Sequence, residues 1–325
     1  MMDRKTVIAL LGKDWERMRG LIRSTLGSDV PLLDEINTSI LDNTGKMLRP
    51  MLTLLFARIC NGGTASDESV KNAAAVEILH NATLLHDDVA DEAMTRRGIP
   101  TVMSRLGAVP AVLVGDFWLA SAVSLLSDSS DIKWTLDEFA HTLTNLAEGE
   151  MLQQQKAFTS DTTAEDYLRI IFCKTASLFV TACECGTKSV KAAEAQMQAA
   201  GSYGKALGLA FQIRDDILDY SGDEKTGKPV GVDLQEQKIT LPLLGALSAS
   251  ADEALWRKKI HDIPSHPEYC GDIREFVLSE GGVEYAEEKL NAYVAEALHA
   301  LEVFPDCPER EILAFIAKDN AVRTK

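Results

Sequence analysis

The sequence predicts an all-α fold, and three observations carry that reading. Apolar residues recur at three- and four-residue spacing in nearly every segment, no segment keeps the period-two alternation of a half-buried strand, and turn-forming residues cut the chain into helix-length pieces. Length allows one large domain or two ordinary ones, and 325 residues suffice to bury a substantial core. The composition, 46% hydrophobic and 25% charged with 10 Pro and 21 Gly, is that of a folded globular protein.

Breakers fall at 61–66, 98–100, 127–130, 221–231, 264–267 and 305–308. They divide the chain into roughly ten to thirteen helices, and none is a long linker. Segments 71–91, 112–126, 139–158, 164–186 and 199–220 are apolar over more than one stripe, which marks them as central. The first and last hundred or so residues are more amphipathic, hence peripheral.

The formal net charge of -16 argues against a nucleic-acid partner, because displacing counterions from a polyphosphate needs surplus Lys and Arg. An anionic membrane surface would be repelled for the same reason. The six cysteines are scattered without CxxC spacing, which points to buried free thiols in a reducing cytoplasm. Segment 1–15 interleaves acids and bases and is expected not to be a secretory signal. The longest apolar stretch, 112–126, contains Asp116 and is read as too short to span a bilayer.

One acidic motif occurs twice. Asp87-Asp88-Val89-Ala90-Asp91 returns 128 residues later as Asp215-Asp216-Ile217-Leu218-Asp219. On a helix, residues four apart share a face, so Asp87 lies above Asp91 and Asp215 above Asp219. Like charges at that spacing repel, and both motifs end apolar helices where desolvation adds to the cost. A single such cluster reads equally well as a solvated helix end; two copies on two apolar helices call for a cation. Carboxylates without His or Cys beside them are hard oxygen donors suited to Mg²⁺, which bridges a few carboxylates to substrate phosphates. His86, adjacent to Asp87, reads as a supporting or packing residue, since imidazole is a poor ligand for Mg²⁺.

Cations flank these motifs: Lys46 and Arg49 precede an apolar helix, and Arg96 and Arg97 follow the first motif by five residues. Arginine binds phosphate oxygens bidentately and lysine acts as a point charge, so together they can hold a diphosphate without metal. The stretches GKMLRP (45–50), EILHNATLLHDDVADEAMTRRGIPT (77–101), VGDF (114–117), AEGEMLQ (147–153), KTASL (174–178) and GLAFQIRDDILDYSGDEKTGKPVGVDLQEQKITLPLL (208–244) closely resemble, in this order, the trans-isoprenyl diphosphate synthases, or polyprenyl synthetases.

That resemblance implies a single domain, 1–325, with the isoprenoid synthase fold around a deep central cavity. It implies head-to-tail condensation of isopentenyl diphosphate with an allylic diphosphate by a cytoplasmic homodimer. Lys46, Arg49, His80 and Arg97 would bind isopentenyl diphosphate. Arg96, Lys174, Thr175, Gln212, Lys228 and Lys238 would contact the allylic diphosphate, and Lys174, Thr175, Gln212 and Lys238 would act in its ionisation. Asp87, Asp91 and Asp215 would be the principal magnesium ligands, supported by Asp88 and Asp219, with Glu150 and Gln153 lining the cavity. Segment 221–237 would be a lid. Met47 and Gln237 depart from residues common in the family, without removing a ligand. Two other classes remain: a terpene cyclase, which would lack the second cation set, and a non-catalytic synthase subunit, which would lose aspartates.

Product length follows from helix geometry. Positions four and five before Asp87 lie one turn deeper, roughly 6 to 7.5 Å at ~1.5 Å per residue, comparable to one or two isoprene units. In short-chain members a bulky aromatic commonly stands there; here Ala82 and Thr83 are small. A product of hexaprenyl to decaprenyl class is therefore expected over farnesyl or geranylgeranyl diphosphate, with Trp118, Val123, Leu125 and Leu126, which read equally well as ordinary core, as candidate floors further down.

Overall fold

The computed structural model describes residues 3–221 and 231–322. Lys228 and most of the expected lid segment lie outside the described residues. The chain divides into two compact units, one of Met1–Ala140, Thr181–Gly201 and Val303–Leu313, the other of His141–Val180, Ser202–Glu302 and Ala314–Lys325.

The first unit begins with α1 (Arg4–Thr25), α2 (Pro31–Asp42), α3 (Leu48–Cys60) and α4 (Asp67–Ala90). Asp3 caps α1, accepting from the Thr6 amide at 2.9 Å, and a kink at Gly12, with φ 48°, lets the buried stripe of Leu11, Trp15, Met18 and Ile22 follow the core. Helix α4 starts from a capping box in which Ser66 and Ser69 each accept the other's backbone N–H. Its alanine-rich middle, from Ala73 to Ala75, is fully buried, because small side chains let α1, α3 and α6 (Ala108–Leu126) approach closely. Arg58 of α3 ties Asp14 of α1 (2.9 Å) to Glu309 (3.1 Å).

A two-residue antiparallel ladder, β1 (Thr95–Arg96) with β2 (Ile99–Pro100), interrupts the helical pattern. Arg97 and Gly98 turn it with φ of 55° and 78°, the left-handed pair that a tight hairpin demands. The short α5 (Val102–Leu106) follows. Helix α6 is longer than the apolar stretch read from sequence, because it starts at Ala108 and tolerates Pro110 in its first turn. At 19 residues and a mean hydropathy of 1.8 it is long and apolar enough to cross a membrane, which corrects the expectation drawn from 112–126. One face packs on α4, and the Trp118 indole N–H donates to Asn37 of α2 at 2.8 Å. Trp118 is thus a polar-anchored core residue, while Val123 is 46% exposed.

Helices α7 (Ile132–Thr159), α9 (Ser177–Lys188) and α10 (Glu194–Ser221) each contribute to both units. The second unit adds α8 (Ala164–Ile171), a π-helical turn at Phe172–Ala176, α11 (Val232–Gln235), α12 (Leu241–Ala249), α13 (Glu253–His261), α14 (Tyr269–Ser279) and α15 (Gly282–Ala300). Its core joins Ile213 and Ile217 of α10 to Leu243 and Leu247 of α12 and to Ile273, Val277 and Leu290. A 3₁₀ turn at Leu301–Val303 leads to α16 (Pro308–Val322). The long helices are those the periodicity predicts; short ones such as α5 and α11 bury too few residues to leave a periodic signal.

Close helix contact is testable at Gly186 of α9. A Cβ there would stand 2.4 Å from the Thr53 carbonyl oxygen and 3.1 Å from the Phe56 Cβ, so backbone would have to move. Gly186→Ala should therefore destabilise by about 1–3 kcal/mol in urea titrations despite its better helix propensity. Gly20→Ala, where a Cβ meets nothing within 4 Å, should instead stabilise by about 0.5–1 kcal/mol.

Candidate active site

In the first unit, functional side chains gather where the loop before α3 meets α4 and the hairpin turn. At Gly45 a Cβ would lie 2.5 Å from the Arg97 Cζ, so the guanidinium as placed rests directly on the loop. Arg4 closes the same loop, donating from Nε to the Lys46 carbonyl (3.2 Å) and from Nη2 to that of Gly45 (3.4 Å). Met47, 6% exposed, takes a left-handed backbone with φ 52° and starts α3. Arg49 sits in the first turn of α3, where the helix dipole adds positive potential.

Arg49 Nη1 lies 3.1 Å from His80 Nε2. A guanidinium only donates, so Nε2 accepts and the imidazole proton sits on Nδ1. Burial, reinforced by Arg49 and Arg97, holds the His80 pKa well below its ordinary value and keeps the ring neutral. Burial also lowers that of Arg49 to about 10, against the pull of Glu77. A cleft of about 680 Å³ beside these groups is lined by Asn43, Asn81, Asp88, Arg96, Arg97 and Arg105 among apolar side chains.

The first aspartate motif is not a uniform patch. Asp88 is 5% exposed and accepts from Arg96 Nε at 2.7 Å, whereas Asp87 is half-buried and Asp91, the C-cap of α4, is exposed. Arg96 thus serves Asp88 from within its own unit. His86 leans on α6, 3.3 Å from Asp116 and 3.4 Å from the Val112 carbonyl. Ala82 is 1% exposed, and Thr83 donates its hydroxyl to the His80 carbonyl at 2.9 Å.

In the second unit the π-helical turn inserts one extra residue into the helical path and re-aims Lys174 and Thr175. Lys174 pairs with Glu150. The Thr175 hydroxyl donates to Gln212 Oε1 at 2.8 Å, Gln212 Nε2 donates to Asp216 Oδ1 at 2.8 Å, and the Tyr167 hydroxyl donates to Asp216 Oδ2 at 2.6 Å. Asp216, 3% exposed, is spent in this chain, which also fixes which end of the Gln212 amide points at Thr175. Burial, with the charge of Asp233 beside it, raises the pKa of Asp216.

Asp219 holds the start of α11, accepting the amides of Val232 and Asp233 at 3.2 Å each, while burial still raises its pKa. Lys238 pairs with Glu236, and its own amide donates to the Asp233 carbonyl at 2.8 Å. Gln153, Lys156, Lys174, Gln212, Asp233 and Lys238 line a cleft of about 650 Å³.

Among the described residues no three His, Cys, Asp or Glu side chains converge into a ready metal cage. Carboxylate oxygens such as those of Asp87 and Asp91 suit Mg²⁺, which completes its shell with water and phosphate oxygens, better than a metal needing a closed protein cage. Sequence reasoning missed Arg4, Glu77, Asn81, Tyr167 and Asp233. Only Glu77 left a signal, as a carboxylate inside the apolar run 73–79.

Residues 30–276 match the polyprenyl synthetase family. The octaprenyl diphosphate synthase of Escherichia coli (strain K12) is 35% identical over 318 residues, 97% of this chain and 98% of that protein. A crystal structure of a decaprenyl diphosphate synthase from Rhodobacter capsulatus superposes with a TM-score of 0.92 at 35% identity, covering 99% of this chain and 100% of that one. A polyprenyl synthase from Caulobacter crescentus CB15, complexed with calcium and isoprenyl diphosphate, superposes at 0.90 with 35% identity, covering 99% and 98%.

Tyr167→Phe removes one donor from the buried Asp216. It should cost about 1–3 kcal/mol in urea denaturation. The loss should grow as pH rises, because the hydrogen bond favours the charged carboxylate.

Proposed function

The chain belongs to the polyprenyl synthetase family of trans-prenyltransferases, and from that premise we propose that it condenses isopentenyl diphosphate head-to-tail with an allylic diphosphate such as farnesyl or geranylgeranyl diphosphate, giving an all-trans polyprenyl diphosphate of hexaprenyl to decaprenyl class. The observation that carries this reading is the pairing of two chemically different anion sites in one chain: a cation set at Lys46, Arg49 and Arg97, and aspartate motifs accompanied by Lys174 and Lys238.

Lys46, Arg49 and Arg97, with His80 beside Arg49, take isopentenyl diphosphate. Asp87, Asp91 and Asp215 would hold Mg²⁺, with Asp88 and Asp219 in supporting roles. When bound, the metal would supply positive charge for the leaving diphosphate. Lys174, Lys238 and Arg96 add to it from preset positions, and Lys228 is assigned to the same group. As the allylic carbon–oxygen bond breaks, Thr175 and the oriented Gln212 offer oxygen dipoles to the cation left behind, and apolar helices keep water away. The isopentenyl double bond attacks, and the released diphosphate accepts the departing proton. No side chain acts as nucleophile.

Two names among similar proteins, an octaprenyl and a decaprenyl diphosphate synthase, support the longer product class. The homodimer implied by family membership fits Val109, Leu113 and Val123, exposed apolar residues of α6 that a second copy would cover. We take the 1–325 chain as one functional domain in a cytoplasmic enzyme, with α6 docked on α4 rather than in a bilayer.

Asp87→Ala and Asp215→Ala should each lower turnover by orders of magnitude with the fold intact by circular dichroism, and EDTA should abolish parent activity reversibly. Near-normal turnover in either variant would sink the metal assignment. The length assignment is read from product sizes. Thr83→Phe should shorten the product to about three or four isoprene units while condensation continues, one helical turn being comparable to one or two units. Thr83 is the better site, because Ala82 is already close-packed and Phe there would overfill the core.

A further inference from the structure

Glu77 lies within the apolar middle of α4 and is 5% exposed. Its carboxylate accepts from Asn81 Nδ2, one turn further on, at 3.2 Å, and Asn81 also holds the Glu77 carbonyl at 2.8 Å. His80, three residues along, shares that face and meets Arg49. The charged groups facing Glu77 come from three elements: Arg49 on α3, Arg97 on the hairpin turn and Arg4 on α1. Each favours the carboxylate, yet burial prevails and pushes the Glu77 pKa up to about 7. A carboxylate buried so deeply is expensive, and an apolar residue would pack there without that cost. The pull of the Arg49 and Arg97 guanidiniums, which must also receive an anion, gives it a reason to be charged.

We propose that Glu77 is a positioning residue of the diphosphate site formed by Arg49 and Arg97: ionised, it is their counter-charge while the site is empty, and it takes one proton from solvent when a diphosphate replaces it. The inference rests on the assignment of isopentenyl diphosphate to that site. An arriving diphosphate is a like charge for Glu77, and it neutralises the guanidiniums that favoured the carboxylate, so both effects drive protonation. The neutral carboxyl keeps a carbonyl oxygen for Asn81, and nothing need move.

The sign of the pH dependence follows. Below neutral pH Glu77 already carries its proton and binding meets no repulsion; above it, binding must draw a proton from solvent, so affinity falls by up to about tenfold per pH unit. Ionisation of isopentenyl diphosphate itself works in the opposite direction, which makes Glu77→Gln the necessary reference. The test is calorimetric titration of the full-length protein with isopentenyl diphosphate alone, at about pH 8, in HEPES and in Tris, whose ionisation heats differ. The parent should take up on the order of one proton more per bound diphosphate than Glu77→Gln does. Above neutral pH Glu77→Gln should lower the KM for isopentenyl diphosphate relative to the parent, and below neutral pH the two should converge, a pH-dependent split that general destabilisation does not produce. Independently of any variant, infrared difference spectra of the parent should gain a protonated-carboxyl band on binding. Equal proton uptake in parent and Glu77→Gln, or no such band, overturns the proposal while leaving the site intact. Unchanged binding in Arg49→Ala would instead overturn the site assignment itself.

Discussion

Charge in a dry place is tolerated only with a partner, and an enzyme for two diphosphates must keep both signs of charge ready before either substrate arrives. The aspartates make the problem acute. Both motifs sit in the last turns of their helices, where the backbone dipole is already negative, so neighbouring carboxylates and the helix end add negative potential at the same place. The fold answers with resident counter-charges: Arg96 on Asp88, Glu150 on Lys174, Glu236 on Lys238, and the charge of Glu77 toward Arg49. Each substitutes for what a ligand brings. Under the proposed assignments a substrate would meet side chains already held by partners rather than bare charge.

Local backbone geometry sets where those charges point. The π-helical turn at Phe172–Ala176 places Lys174 toward Glu150 while Thr175 reaches Gln212 on α10, contacts that a regular helix would have rotated apart. The hairpin turn does similar work in the first unit, carrying Arg97 on a left-handed residue so that its guanidinium lies on Gly45. These irregularities occupy a few residues, yet they aim three of the side chains assigned to the site, Lys174, Thr175 and Arg97.

The helical class and the long helices were legible because period-3.6 patterning survives in any helix with a buried face, and the aspartate and basic motifs were legible as local strings. What stayed hidden was long-range. Arg4 meets the Gly45 carbonyl from 41 residues away, and Tyr167 meets Asp216 from 49, and nothing in either local string announces the partner. The left-handed backbone of Met47 was also invisible, since that conformation ordinarily selects Gly or Asn. The apolar stretch 112–126 begins after Pro110, whereas α6 begins before it, since Pro in a first turn costs no hydrogen bond.

The middle aspartate of each motif shows how much of DDxxD concerns architecture. Adjacent helical residues point about 100° apart, so Asp88 and Asp216 cannot share the face on which Asp87 lies above Asp91 and Asp215 above Asp219. Both turn inward, to 5% and 3% exposure, and both are engaged there, Asp88 by Arg96 and Asp216 by Tyr167 and Gln212. In each case the partner is itself assigned to the allylic diphosphate or orients a residue that is: Arg96 directly, Gln212 through its fixed amide. The doubled aspartate thus couples two tasks in adjacent positions. Under the proposed roles, one carboxylate would face the cation while its neighbour holds in register the donor or dipole that would act on the same substrate.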